Sequence, residues 1–248
     1  MIVCIDSGNT RIKWGVHDGQ CWLAQGSVVQ SEVGQLNRLV ADWPVPAIVM
    51  LANVAGDVAQ ANIEGALAEW RHLFFMPQSS AQAAGVTNFY QDPTRLGIDR
   101  WCALIGARSL SQAPCVVVMA GTATTIDSLD AQGHFLGGLI LPGFDAMRRA
   151  LALGTAALPF ANGLCVDYPR CTDDAIVSGI VEAQVGAVER AFARLQGEYK
   201  HCQVSGGNAN IICSRLAIPF RQVDNLPLEG LKQIGLEEIN RQRNPERT

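Results

Sequence analysis

An aspartate at the end of a short apolar run, then a turn of small polar residues, then a lysine, is a set that could handle phosphate. The run is Ile2 to Ile5; Asp6-Ser7-Gly8-Asn9-Thr10 follows it, and Lys13 stands just past the turn. Glycine lets backbone N–H groups approach an anion closely, and hydroxyl and amide side chains add donors. The Asp6 carboxylate suits Mg²⁺, directly or through water. Lys13 would set a positive charge against a phosphate in transfer. A second turn of this kind, Ala120-Gly121-Thr122-Ala123-Thr124, lies in mid-chain. Either turn alone also suits a plain hairpin. Facing each other across a cleft, two such turns could hold successive phosphates of one nucleotide. Neither a G-x-x-x-x-G-K-[ST] loop nor a G-x-G-x-x-G fingerprint occurs, which weighs against P-loop and Rossmann readings.

Strands must hold these turns. Ile12, Trp14 and Val16 alternate with Arg11, Lys13 and Gly15, Asp18-Gly19 signals a hairpin, and Cys21 to Ala24 continues as a third strand. The plan returns in mid-chain: Val116 to Met119 as a buried-type strand, Thr125 to Leu129 alternating, a turn at Asp130 to Gly133, and Phe135 to Ile140 as the return strand. Gly8 and Gly121 lie 113 residues apart, and Gly19 and Gly133 lie 114 apart, so two duplicated halves are expected. Apolar spacing predicts one helix through Val58, Ile63, Ala66, Leu67 and Trp70, another through Cys102, Ile105 and Leu110, and a long one from Val177 to Phe192. Short strands are expected at Ile48 to Leu51 and Leu73 to Met76. The class is α/β with a division near residue 115, giving domains 1–114 and 115–248. Asp127 reads as a structural strand-end residue. Gly206-Gly207, after a strand at Gln203 to Ser205, reads either as a strand-to-helix turn or as backbone on which an adenosine could rest. The polar tail Asn240 to Thr248 reads as a frayed, solvated end.

Composition narrows the setting. Of 248 residues, 48% are hydrophobic and 17% charged, which excludes a disordered chain. Nineteen basic against 23 acidic residues, with no basic run, weigh against a nucleic-acid binder. No apolar stretch reaches membrane-span length, and the first residues lack the basic start of a signal peptide. The expectation is a soluble cytoplasmic protein, with no nucleic-acid or membrane partner. Eight cysteines form no C-x-x-C pair and four histidines no ligand-spaced pair, so the cysteines read as buried thiols in a reducing compartment.

Five stretches together carry a resemblance. DSGNTRIK (6–13) and GTATTID (121–127) are similar to the phosphate motifs of the actin, sugar-kinase and acetate-kinase superfamily. With DPTRLGIDRW (92–101), GGLILPG (137–143) and SGGNA (205–209), the chain resembles type III pantothenate kinases. The resemblance implies duplicated ribonuclease H-like (actin-like ATPase) domains, mixed sheet flanked by helices, with a cleft between the halves. The first half would carry the first phosphate turn and the pantothenate motif, the second half the other phosphate turn and the adenosine motif. It implies phosphorylation of pantothenate by ATP with Mg²⁺, the first step toward coenzyme A. By the same carry-over Asp6, Ser7, Gly8, Asn9, Thr10, Arg11, Ile12 and Lys13 would contact ATP, Asp6 near the metal and Thr122 from the second turn. Gly97, Ile98, Asp99 and Arg100 would hold pantothenate, with Tyr90 and Thr172, and Asp99 would be the base. Without the resemblance, Asp99 and Arg100 read as a helix start with a surface arginine, Tyr90 as a loop aromatic and Thr172 as a helix N-cap. The family's cation-binding acid, two residues before the second turn's glycine, is here Met119, a poor ligand for K⁺ or NH₄⁺. A homodimer completing the substrate pocket is also implied, with 137–152 facing a partner or packing within its own subunit. The family includes the Bvg accessory factor, so a regulatory homologue is the alternative, as is a superfamily kinase for another small alcohol.

Overall fold

The computed structural model describes residues 1–244 and divides the chain into two compact units. One comprises Met1–Ser111 and the chain from Asn225 onward, the other Gln112–Asp224. In the first, β1 (Ile2–Ser7), β2 (Arg11–His17) and β3 (Trp22–Val29) form the expected meander. β4 (Ile48–Asn53) then lies parallel to β1, and β5 (Phe74–Phe75) parallel to β4, so the sheet runs β3-β2-β1-β4-β5. Both faces of β1 and β4 are apolar because both are covered. Val3, Ile5, Val49 and Leu51 pack with Ile63, Leu67 and Trp70 on one face, beside α1 (Asn37–Asp42) and α2 (Asp57–Ala66). Ile2, Cys4, Ile48 and Met50 pack on the other with Cys102, Leu228 and Leu231. A hairpin, β6 (Gln82–Ala83) and β7 (Val86–Asn88), precedes α3 (Ile98–Leu110).

The last helix, α7 (Leu226–Arg243), lies on α3. Glycines set that approach: a Cβ at Gly230 would stand 1.9 Å from the Cys102 carbonyl oxygen, and one at Gly106 would stand 2.3 Å from that of Leu226. The division expected at residue 115 therefore differs at its C-terminal end, since α7 completes the first unit's core. Asn240 to Arg243 continue α7 rather than fray, and residues 245–248 of that expected tail lie outside the described residues.

In the second unit β8 (Cys115–Ala120), β9 (Ala123–Leu129) and β10 (His134–Pro142) repeat the meander, and β11 (His201–Ser205) and β12 (Phe220–Gln222) run parallel to β8. The order β12-β11-β8-β9-β10 is that of the first unit, strand for strand. α4 (Phe144–Gly154), α5 (Thr172–Arg194) and the short α6 (Ala209–Cys213) complete it. Val181, Val185 and Val188 of α5 bury against Val116, Val118 and Val204.

Four expectations need correction. The helix expected from Val58 to Trp70 stops at Ala66: Leu67 leaves helical geometry, and a 3₁₀ turn follows over Ala68–Leu73. That break lets Leu67 and Trp70 both enter the core, while Val58 is 76% exposed. The third strand runs Trp22–Val29 rather than Cys21 to Ala24. Cys21 and Cys171 are exposed, against the buried-thiol reading; Cys4, Cys102, Cys115 and Cys202 are buried. Asp127 is no strand-end residue; it sits mid-strand in β9, opposite Val117 and Gly138, and is fully buried. Among the described residues no helix is long and apolar enough to cross a membrane.

Candidate active site

Strand register places the first set of residues. β1 and β2 run antiparallel with Asp6 opposite Lys13, so a carboxylate and an ammonium meet across the end of the hairpin. The Gly8 N–H donates to the Arg11 carbonyl at 3.0 Å and closes the turn. Gln30, the first residue after β3, clamps it from outside. Its Nε2 donates to Ser7 Oγ at 3.0 Å and to the Gly8 carbonyl at 2.7 Å, and its backbone N–H donates to the Thr10 carbonyl at 3.2 Å. With the carbonyls of Gly8, Thr10 and Arg11 engaged, an anion at the turn meets N–H groups rather than lone pairs. Asn9 and Thr10 are exposed there. Three other residues of 6–13 turn their side chains elsewhere: Ser7 and Ile12 are fully buried, and the Arg11 guanidinium donates to Ser27 Oγ at 2.6 Å.

Asp6 is half-buried. Burial lifts its carboxyl to about 6, Lys13 pulls it back, and the charge of Asp99 adds to the rise. The two carboxylates thus share one electrostatic neighbourhood within the first unit.

Asp99 is the second residue of α3, and Gly97 occupies the N-cap position. A Cβ at Gly97 would stand 2.7 Å from Asp99 Oδ1, so glycine is what leaves room for the carboxylate to fold back over the helix start. Arg100 is buried at 5% exposure, not the surface arginine its sequence context allows. Its Nη1 donates to Tyr90 Oη at 2.9 Å, and the guanidinium lies 5.6 Å from the centre of the Tyr90 ring. Tyr90 is in a loop, as expected, and is set by Asn88, whose Oδ1 accepts from the Tyr90 N–H at 3.1 Å and whose Nδ2 donates to the Pro93 carbonyl. Asp92 caps the 3₁₀ turn Pro93–Arg95 through the Thr94 N–H at 3.0 Å. Residues 88 to 101 are thus one continuous hydrogen-bonded piece that aims Tyr90, Asp99 and Arg100.

The second unit builds its turn from backbone. The Gly121 N–H donates to the Ala123 carbonyl, and the Gly143 N–H to the Thr122 carbonyl at 3.1 Å. A Cβ at Gly143 would stand 2.2 Å from the Gly121 carbonyl oxygen, and one at Gly206, whose φ is +110°, would stand 2.4 Å from that of Ala120. Gly143 and Gly206 therefore let backbone pack directly against the turn at Ala120 to Thr122. Thr122 is exposed at it. Behind the turn, Thr124 Oγ1 donates to Gln184 Oε1 at 2.9 Å, both residues buried. Met119 is half-buried in β8, opposite Thr125 and Ser205. Thr172 is exposed and is the first helical residue of α5, not its N-cap, which is Cys171. The neighbouring acids hold the preceding loop: Asp173 Oδ1 accepts from the Asn162 N–H at 3.1 Å and Asp174 Oδ1 from that of Leu164 at 2.8 Å.

Gln30 and Gln184 escaped the sequence reading. Gln184 did leave a signal, since it interrupts the apolar stripe Val177, Ile180, Val181, Val185, Val188, and an amide on a buried face needs a partner. Gln30 leaves none, because its contacts are with a turn 20 to 23 residues away.

Two units of one strand order, each opening on a glycine- and threonine-rich turn, define the actin-like ATPase and sugar-kinase fold. Solved structures agree. The activator of the 2-hydroxyisocaproyl-CoA dehydratase from Clostridium difficile, with bound ADPNP, is similar at a TM-score of 0.57 and 12% identity, covering 98% of this chain and 97% of that one. A Campylobacter jejuni protein assigned to the Baf family of transcriptional activators is similar at 0.64 and 20% identity, covering 96% and 99%. Residues 2–194 match the family model of type III pantothenate kinase, and the chain belongs to that family. The type III pantothenate kinase of Dechloromonas aromatica (strain RCB) is 60% identical over 96% of this chain and 100% of its own length. That of Aromatoleum aromaticum is 52% identical over 96% and 99%.

Proposed function

We propose that this protein transfers the γ-phosphoryl group of ATP to the primary hydroxyl of pantothenate, forming 4′-phosphopantothenate, the first step of coenzyme A synthesis. What supports the reading within the chain is the Asp99 carboxylate folded over Gly97, beside the Arg100–Tyr90 pair. The acceptor hydroxyl gives its proton to an Asp99 oxygen. Its own oxygen bonds to the γ-phosphorus, the bond from that phosphorus to the β–γ bridging oxygen breaks, and ADP leaves. A primary alcohol is a weak nucleophile at neutral pH, and a carboxylate hydrogen-bonded to it lowers the barrier. Asn9 and Thr10 with the turn's N–H groups, and the exposed Thr122 of the second turn, bind phosphate oxygens; Lys13 sets its charge against them. Gly97, Ile98, Arg100, Tyr90 and Thr172 contact pantothenate. The Gly206-Gly207 backbone receives the adenosine.

Asp6 and Asp99 are hard oxygen donors whose mutual repulsion a cation relieves, and Mg²⁺ commonly binds through one or two carboxylates with phosphate oxygens. Asp6 would hold it; the ion neutralises charge on the phosphates. The protein works as a homodimer in the cytoplasm. Supporting the dimer, no residue of α4 is buried within its own chain. An open cavity of about 630 Å³, walled by Met147, Leu151, Leu158, Ile176 and Ile180, has Thr172 at its lining, and Ile140 nearby in sequence is 66% exposed. A second copy would cover that surface.

The test is direct. Purified protein with ATP, Mg²⁺ and pantothenate yields ADP and 4′-phosphopantothenate in equal amounts, followed by mass spectrometry. Turnover with another alcohol but not with pantothenate would assign a different kinase. Nucleotide binding without turnover would assign a regulatory homologue.

A further inference from the structure

A closed circuit of contacts ties the second phosphate turn to the helix that follows it. The Gly143 N–H, just after β10, donates to the Thr122 carbonyl at 3.1 Å. The Met147 N–H donates to the Gly143 carbonyl at 3.0 Å as the first turn of α4 closes. Gln184 Nε2, from α5, donates to the Met147 thioether at 3.8 Å, and Thr124 Oγ1 donates to Gln184 Oε1 at 2.9 Å. The path leaves the turn at Thr122 and returns two residues on, at Thr124. One side-chain amide closes it.

Burial alone does not call for an amide at this position. Gln184 is 2% exposed and interrupts the buried run Ile180, Val181, Val185 and Val188, of which the three valines pack with Ile126 of β9. Thr124 lies on the Ile126 face of β9, two residues away. An aliphatic side chain would cover that face without the cost of taking an amide out of water. What the amide adds is direction: a hydrogen bond holds Thr124 at one depth against α5, where apolar contacts alone would let it slide. The start of α4 has the same need, because no residue of that helix is buried.

We propose that Gln184 is a positioning residue for the second phosphate turn. By holding Thr124 and Met147 together, it fixes Thr122 and the start of α4 as one piece. Buried as it is, Gln184 meets no substrate itself. Given the proposed function, on which this consequence alone rests, Thr122 meets phosphate already in place, and loss of the Thr124–Gln184 pair weakens nucleotide binding even where stability is kept.

The test takes the pair apart in the full chain. Gln184→Met keeps the length and loses both hydrogen bonds; it leaves the Thr124 hydroxyl buried without its acceptor, so the melting temperature falls. Thr124→Val combined with Gln184→Met removes both polar groups and returns the melting temperature to near that of wild type. In NMR hydrogen exchange, the Gly121 and Gly143 amides exchange about 5- to 10-fold faster in both variants, while Gly8 of the first turn is unchanged. ATP with Mg²⁺, titrated calorimetrically without pantothenate, binds about 10-fold more weakly to both, and the double variant is no weaker than the single one. Recovery of ATP affinity together with the melting temperature would make the pair merely structural and overturn the proposal. Unchanged exchange at Gly121 and Gly143 would overturn it too. If the wild type binds no ATP, the proposed function fails, and the exchange rates still decide whether Gln184 positions the turn.

Discussion

Asp6→Asn should make the fold more stable and the protein a worse binder of nucleotide. Burial holds the Asp6 carboxyl at about 6 instead of 3.8. At neutral pH the folded chain must ionise a group it would rather keep protonated, which costs up to about 3 kcal/mol at about 1.4 kcal/mol per tenfold. Solvent reaching a half-buried residue reduces this to about 1–3 kcal/mol. The sign follows from the raised folded value. Below pH 3.8 both states are protonated and the cost is absent; it grows between 3.8 and 6 and is complete above 6. Asparagine keeps the shape and removes the charge. In urea titrations without nucleotide, Asp6→Asn should gain about 1–3 kcal/mol at pH 8, and at pH 4.5 only about a third of that. Binding of ATP with Mg²⁺ at pH 8 should weaken at least tenfold, with the loss of an oxygen donor to the ion. For the unchanged protein, ATP affinity should fall as pH drops through about 6, where Asp6 takes up its proton. A variant no more stable than wild type at pH 8, or an advantage that persists undiminished in acid, would refute this account of Asp6.

Four further outcomes are expected. Asp99→Asn should lower turnover about 10²–10⁴-fold with ATP binding kept and a small change in melting temperature, because it removes a base and leaves the helix start intact. Retention of more than a tenth of turnover would exclude Asp99 as the base. Gln30→Ala should raise the KM for ATP about 5- to 20-fold and leave that for pantothenate within twofold, having released two hydrogen bonds that hold the first turn; equal rises in both would mean a global rather than a local effect. Exchanging K⁺ for a bulky organic cation should change the initial rate less than tenfold, since the Met119 thioether is a poor ligand for a hard ion. Light scattering should give about 53 kDa, twice the 26.6 kDa of one chain, and activity should fall on dilution; a fully active monomer would count against the dimer.

The sequence alone determined what is periodic or local. Alternation and turn chemistry placed the two meanders, and the spacing of Gly8 and Gly121 exposed the duplication, because a turn type depends on neighbouring residues. The helix start at Asp99 was legible for the same reason: Gly97 just before it and an acid in the first turn are local signals. Tertiary structure alone decided the rest. α7 joins the first unit through Gly106 and Gly230, a fit of backbone against backbone that no periodicity encodes. Leu67 breaks a regular helical pattern because the core takes both Leu67 and Trp70 only when the chain bends there. Arg100 reads as a surface residue until Tyr90 is seen to receive it, and Asp127 as a strand end until both neighbouring strands are in place. Gln30 is silent in the sequence because its role lies in closing hydrogen bonds on a distant turn. Burial and partnership are properties of pairs brought together by folding, and one residue's type carries only half of each pair.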